Sequence, residues 1–401
     1  MPPHLAGREG EYREFDRLLE QDNILENLVL TGLRGVGKTV LLETFKPRAI
    51  QKGWLWATAD LSESASISEV ALAQRFLADL SLITSSITVM QPPAGQPAGF
   101  TAPAQQQQEV PLSHSVLTSV YEQTPGLVSD KIKATLEFAW EHIREQGGHK
   151  VIFAYDEAQN LSDHASKDQF PLSVLLDVFQ SIQKKGIPFM LVLAGLPTLF
   201  PKLVDARTYA ERMFRVVTLT KLSEEESREA ILKPLEVADC PIKFGGNSVE
   251  IIIHESGGYP YFIQFICREV FDVFIQQDES GEFATVPVDP IQRKLDADFF
   301  AGRWAKITDR QKELLLVVAN LDRPDEEFTI QELVEKAKEL LPKAFSPSHA
   351  NQMLASLAER GMIYKNRLGK YSFAVPLLGR FILRSGERPH DKAALPEGTL
   401  F

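Results

Sequence analysis

The segment Asn27–Thr39, NLVLTGLRGVGKT, constrains the fold of this chain more than any other. It opens with a short apolar run, Leu28-Val29-Leu30, of the kind that forms a strand buried on both faces. A glycine-rich turn follows, Gly32 to Gly37, and then Lys38 and Thr39 begin a helix carrying Val40, Leu41, Leu42 and Phe45. The pattern is G-x-x-x-x-G-K-[ST] between a strand and a helix.

Each position has a physical task. Gly32, Gly35 and Gly37 let the backbone take positive φ and approach a ligand closely. The inward N–H groups of the loop, with those of Val36 to Val40 at the helix start, favour a phosphate. Lys38 is expected to reach the β- and γ-phosphates, and the Thr39 hydroxyl to be a ligand of Mg²⁺. The implied cofactors are ATP and Mg²⁺.

A second signal lies at Lys150–Glu157, KVIFAYDE, where an apolar run delivers two carboxylates to a strand's C-terminal end. Ligands of open α/β sheets sit there. Asp156 is expected to hold the metal ion and Glu157 to polarise the attacking water, since adjacent strand residues diverge. Alone, such a run is weak evidence; after a phosphate loop, with a strand and helices between, it points to a magnesium-bound nucleoside triphosphate.

The rest of the first half alternates strand and helix, as in a parallel sheet. Strands are expected at 54–59, 188–195 and 216–219, and helices at 5–20, 68–82, 129–146 and 171–184. Residues 91–111, rich in Pro, Gly, Ala and Gln, read as a disordered insertion in a surface loop. Segments 223–280 read as a helical lid, with Ser223 and Glu226 forming a capping box. Residues 305–385 read as three helices and a hairpin, the pattern of a winged helix-turn-helix. The expected domains are therefore a nucleotide-binding core at 1–220, a lid at 221–295, a winged helix at 296–390 and a tail at 391–401.

The chain has 401 residues, 44% hydrophobic and 24% charged, the balance of a soluble globular protein. It contains no apolar run of roughly 18 residues and starts without a signal-like segment, so a cytoplasmic location without membrane contact is expected. Cys240 and Cys267 lie far apart and are expected to be reduced and buried. A net charge of -11 excludes a surface that binds nucleic acid everywhere, so any such contact is local.

That contact, if made, falls to the third helix, where Ser346, Ser348, His349, Asn351, Gln352 and Ser356 can read base edges, and to the hairpin, which is better supplied with cations. Lys365, Arg367 and Lys370, beside Tyr364 and Tyr371, are placed to grip phosphates. The acidic stretch Asp325-Glu326-Glu327 and the helix bearing Glu332, Glu335 and Glu339 argue instead for a protein partner.

Taken together, these motifs resemble ATPases of the AAA+ superfamily, in the branch shared by origin-recognition initiators and STAND signalling ATPases. The resemblance rests on Gly7-Arg8-Glu9 with Glu11, the two nucleotide motifs, Gly195-Leu196-Pro197, Glu211-Arg212-Met213-Phe214 and Gly258-Tyr259-Pro260. It implies an α/β fold with a P-loop parallel-sheet core, a helical lid and a C-terminal winged helix. It implies that Gly7 and Arg8 lie near the adenine and that Pro260 contacts the base. It also implies that Arg212 or Arg215 is the arginine finger or γ-phosphate sensor, whose plainer alternative is a surface ion pair. The chain departs from the pattern at the tip of the strand ending at Gly195, where a polar sensor is missing and Thr198 is nearest. In the lid, no arginine follows Gly-Tyr-Pro until Arg268. Both departures suit a slow ATPase.

The function expected is an ATP- and Mg²⁺-dependent molecular switch whose slow hydrolysis is coupled to a winged helix that contacts DNA. An oligomer follows if Arg212 or Arg215 acts on a neighbour's nucleotide. Two alternatives stay open: a nucleotide-regulated signalling or defence adaptor whose winged helix docks a protein, and a DNA-loading ATPase of the replication or transposition-regulator kind.

Overall fold

The computed structural model describes residues 4–91, 108–240, 244, 247–280, 286–323, 326–367 and 369–385. The chain divides into two compact units. One comprises residues 8–32 and 38–219; the other comprises 1–7, 33–37 and 220–401.

The first unit contains β1 (Asn27–Gly32), β2 (Leu55–Asp60), β3 (Thr88–Gln91), β4 (Gln108–Pro111), β5 (Val151–Asp156), β6 (Phe189–Gly195) and β7 (Phe214–Leu219). Its helices are α1 (Glu9–Leu19), α2 (Lys38–Gln51), α3 (Glu69–Thr84), α4 (His114–Gln123), α5 (Val128–Glu145), α6 (Pro171–Lys184), α7 (Leu199–Ala206) and α8 (Ala210–Met213). Five strands form a parallel sheet in the order β2-β5-β6-β1-β7. Every residue of the central strands β1, β5 and β6 is buried, whereas the edge strands β2 and β7 are only partly so. Continuous apolar runs are what a central parallel strand demands, because helices cover both faces.

Register brings the C-terminal ends of β1, β5 and β6 to one edge: Thr31 pairs with Gly195, Tyr155 with Leu193, and Asp60 with Asp156. Behind the sheet, Phe76, Phe153, Phe179 and Phe189 form a cluster of edge and tilted ring contacts at 5.6–5.9 Å. At the opposite edge the buried Asn27 side chain accepts from Leu191 N–H (2.8 Å) and donates to the Met213 carbonyl (3.2 Å). It thereby ties β1 to β6 and to the end of α8, just before β7.

The expected insertion differs in extent. Its two ends, Thr88–Gln91 and Gln108–Pro111, pair as an antiparallel ribbon; residues 92–107 lie outside those described. Arg215 also lies elsewhere than expected, because the last strand begins at Phe214 rather than Val216.

The second unit contains α9 (Glu224–Val237), α10 (Ser248–Ser256), α11 (Pro260–Ser280) and α12 (Val288–Leu295), then a π-helical turn at Asp296–Ala301 and α13 (Gly302–Trp304). After these come α14 (Asp309–Ala319), β8 (Phe328–Thr329), α15 (Ile330–Leu340), α16 (Pro347–Glu359), β9 (Ile363–Arg367), β10 (Lys370–Phe373) and α17 (Leu378–Ser385). Capping boxes open α9 and α15: Ser223 N–H donates to Glu226 (2.7 Å), and Thr329 N–H to Glu332 (2.7 Å). The three short strands form an antiparallel sheet in the order β8-β10-β9. Its apolar side joins Leu314, Leu333, Leu354 and Leu357 from α14, α15 and α16 in one buried cluster. The tail expected at 391–401 lies outside the described residues. Cys240 and Cys267 are free thiols, half-buried rather than fully so.

Candidate nucleotide site

Within the sheet unit, Lys38 and Thr39 are the first two residues of α2, directly after the glycine turn. Gly35 and Gly37 have φ of +80° and +95°, values that a side chain rarely adopts. Lys38 is largely buried, and its Nζ donates to the Gly32 carbonyl at 2.9 Å. The Thr39 hydroxyl donates to Asp156 Oδ2 at 2.5 Å, across β1 and β5. Asp156 is buried, and its second oxygen accepts the Glu157 N–H at 2.7 Å. Glu157 leaves the strand with φ of +51°, in the left-handed region, and its side chain is exposed. The two adjacent carboxylates thus face different ways: Asp156 inward to Thr39, Glu157 outward.

A hydroxyl and a carboxylate this close are hard oxygen donors, and they suit a magnesium ion that also binds substrate phosphates. Among the described residues, no group of three or more His, Cys, Asp or Glu could hold a metal on its own.

A residue not anticipated from the sequence completes this edge. Gln159, in a short 3-10 turn after Glu157, donates from its amide nitrogen to the Glu157 carboxylate. Its amide oxygen accepts the Leu196 N–H at the end of β6, at 3.0 Å. The expected nearest polar group, Thr198, instead precedes α7 as its N-cap. The only hint of Gln159 in the sequence is a polar side chain two residues beyond the carboxylate pair.

The two candidate arginines are both exposed. Arg215 Nε donates to Glu14 of α1 at 2.9 Å, an ion pair between residues far apart in the chain. Arg212 lies on α8. Arg8 is buried and pairs with Glu11 at 3.2 Å.

Within the other unit, the loop tip 33–37 lies against the start of α11. The Tyr261 N–H donates to the Gly35 carbonyl at 3.0 Å, and a side chain at Gly35 would meet Tyr261 Cβ at 3.0 Å. Pro260 occupies the first turn of α11, where its missing N–H costs nothing. Gly7, at φ of +64°, lies so close to the Glu226 carboxyl that a Cβ would come within 2.5 Å of it. Arg34 sits against Gly361. Burial lowers the Arg303 pKa, and the nearby Arg34 charge lowers it further. Arg268 is exposed on α11. In the antiparallel sheet, Lys365 is exposed on β9, Lys370 is half-buried on β10, and Arg367 ends β9. Lys370 shares a concave surface with Glu326 and Glu327. Among the described residues no helix is long and apolar enough to cross a membrane.

No curated protein matches the chain. Two solved structures of the Aeropyrum pernix ORC2 protein have the same fold. The ADPNP–ADP form superposes with a TM-score of 0.53 at 14% identity, covering 96% of this chain and 94% of that one. The ADP form gives 0.52 at 15% identity with the same coverage, 96% and 94%. A domain family of unknown function matches residues 297–382. The AAA ATPase domain family matches residues 4–204, half of the chain, with the phosphate loop, the Asp156-Glu157 pair and all five strands but the last inside it. The chain belongs to the AAA ATPase domain family, and its parallel-sheet core is that of a nucleotide-dependent AAA+ ATPase.

Proposed function

We propose that the protein is an ATP- and Mg²⁺-dependent molecular switch with slow turnover, coupled to a C-terminal winged helix that contacts DNA. The observation that carries the nucleotide part is the hydrogen bond from Thr39 to Asp156, because it joins the two motifs at the sheet edge where ligands bind. In this reading the amides of Gly35 to Val40 cradle the phosphates, and Lys38 leaves the Gly32 carbonyl to reach the β- and γ-oxygens. Thr39 and Asp156 would hold the metal ion, which when bound would supply positive charge to the phosphate oxygens. Glu157, exposed and turned away from Asp156, accepts the proton of the attacking water.

Slow turnover is supported by the lack of a polar side chain at the tip of β6 and by the engagement of Arg215 with Glu14. Arg212, exposed on α8, is then the residue left to act on a neighbouring subunit's nucleotide. Such an arginine contributes about 10³–10⁵ in rate when correctly placed. The experiment that tests the hydrolytic reading is Glu157→Gln: ATP affinity is retained and phosphate release falls by at least about 10²-fold. Undiminished release removes Glu157 from the role.

For the C-terminal part, three helices and a β-hairpin with Lys365 and Lys370 support the winged-helix reading. One observation favours the alternative of a protein partner. Glu326, Glu327, Glu332, Glu335 and Glu339 line an acidic concavity beside the same small sheet. The Glu332 carboxyl is held below its usual range by hydrogen bonds from Thr329, with the Lys370 charge helping. The Lys370 charge therefore already acts on a carboxylate of this chain.

A further inference from the structure

The end of β6 offers no polar side chain of its own to the catalytic edge: it runs Leu193-Ala194-Gly195-Leu196-Pro197. What reaches it is Gln159. The amide oxygen accepts the Leu196 N–H at 3.0 Å, while the amide nitrogen donates to Glu157. One planar group therefore touches both the proposed base and the backbone at the tip of the neighbouring strand.

Everything around the amide holds it there. Gly195 lacks a side chain where one would collide with Gln159 Oε1 at 2.7 Å. The Leu196 carbonyl accepts the Thr31 hydroxyl at 3.1 Å, which ties the same peptide segment to β1. Lys202 Nζ, on α7, donates to the Gln159 carbonyl at 2.6 Å and fixes the turn itself. Asn160 donates to the Leu61 carbonyl at 2.9 Å, anchoring the turn's far end beyond β2. The half-buried amide and its turn are thus braced from the tip of β6, from α7 and from the end of β2. Glu157, by contrast, is exposed and itself takes a left-handed backbone conformation, so on its own it would sample several rotamers.

We propose that Gln159 is a positioning residue for Glu157, fixing the carboxylate's direction and coupling it to the tip of β6. The proposal rests on the reading of Glu157 as the group that takes the proton from water.

The test is single-turnover and steady-state ATP hydrolysis by the full chain, for the parent, Gln159→Glu, Gln159→Ala and Glu157→Gln. Gln159→Glu keeps an acceptor for the Leu196 N–H but loses the donor toward Glu157, so it separates positioning from mere packing. Both Gln159 variants should lose about 10–10²-fold in kcat, the scale expected when a reacting group is misplaced by about 1 Å, with KM for ATP within about twofold. The thermal midpoint of Gln159→Glu should stay near the parent's, which shows that the loss is not unfolding. Parental kcat in both Gln159 variants, together with a strong loss in Glu157→Gln, overturns the positioning role alone. A rise in KM equal to the loss in kcat/KM overturns it too, because the residue would then act in binding. Parental hydrolysis by Glu157→Gln overturns the base assignment, and the proposal with it.

Discussion

The Thr39 hydroxyl and the Asp156 carboxylate, 117 positions apart in sequence, are joined by a hydrogen bond of 2.5 Å. Thr39 is the second residue of the helix that follows the phosphate loop, and Asp156 is the last residue of β5. The strand order puts β6 between β5 and β1, so the contact spans the middle of the sheet at its C-terminal edge. The two oxygens proposed to hold the metal ion are thus brought together by topology.

Thr39→Val keeps the volume of the side chain and removes that oxygen. The variant should bind ATP with an affinity that no longer rises when Mg²⁺ is added, whereas the parent's does. Calorimetric titrations with and without the metal ion read the difference. A variant whose affinity still depends on Mg²⁺ as the parent's does would move the metal away from Thr39.

How much of this was legible in the sequence depends on the range of the interaction. The central strands announce themselves because burial on both faces forces unbroken apolar runs such as VIFAY and FMLVLA. Helix starts at Ser223 and Thr329 were legible for a local reason, since both partners of each capping box lie within three residues. The fold class and the two nucleotide motifs needed nothing more. Helix α4 was missed because it follows a low-complexity stretch and buries only Val116 and Leu117. The two-residue strand β8 is too short for any period to be seen. Arg215 and Glu14 meet across 201 positions, and Gln159 meets Leu196 across 37, so their partners are set by the sheet and not by neighbours in the chain.

Asp177 on α6 accepts from Arg207 at 2.7 and 2.9 Å and from the Tyr209 hydroxyl at 2.7 Å. Burial pushes its pKa up, but the hydrogen bonds from Arg207 and Tyr209 outweigh that and leave it below the usual carboxylate range. A depressed folded pKa stabilises above the unfolded value, near about 4, and the contribution is lost as pH falls through the folded value. Asp177→Asn should therefore cost about 1 kcal/mol at pH 7, a modest figure because the pair is partly exposed. In thermal melts the gap between parent and variant should close below about pH 4. A gap that stays constant to pH 2 (on the order of two units lower) would assign the effect to shape rather than charge.

Gly258 precedes α11 with φ of +78°, and a Cβ there would meet the Leu222 carbonyl oxygen at 2.5 Å. The Leu222 N–H in turn donates to the Gly258 carbonyl at 2.8 Å, so neither backbone can withdraw freely. Gly258→Ala combines a strained conformation with a backbone collision and should destabilise the helical unit by about 2–3 kcal/mol. Urea unfolding followed by circular dichroism measures it; a loss below about 0.5 kcal/mol would mean the turn can relax.

If the small antiparallel sheet contacts DNA, Lys365 should matter more than Lys370, whose charge is partly met by neighbouring carboxylates. Each phosphate contact removed should lower the slope of log affinity against log salt by about 1. Fluorescence anisotropy with a labelled duplex at several salt concentrations would report that slope for the parent, Lys365→Ala and Lys370→Ala. Binding that is absent, or indifferent to both lysines, would favour the protein-docking alternative and its acidic concavity.

The central claim is that Lys38 and the glycine loop grip a triphosphate whose metal ion is held by Thr39 and Asp156. Titrating Mg·ATP into the parent and into Lys38→Ala, by calorimetry on the full chain, tests it most directly. The account predicts saturable binding by the parent and a loss of about 10²-fold or more in the variant, on the order of 3 kcal/mol. Equal affinity in both proteins would contradict it.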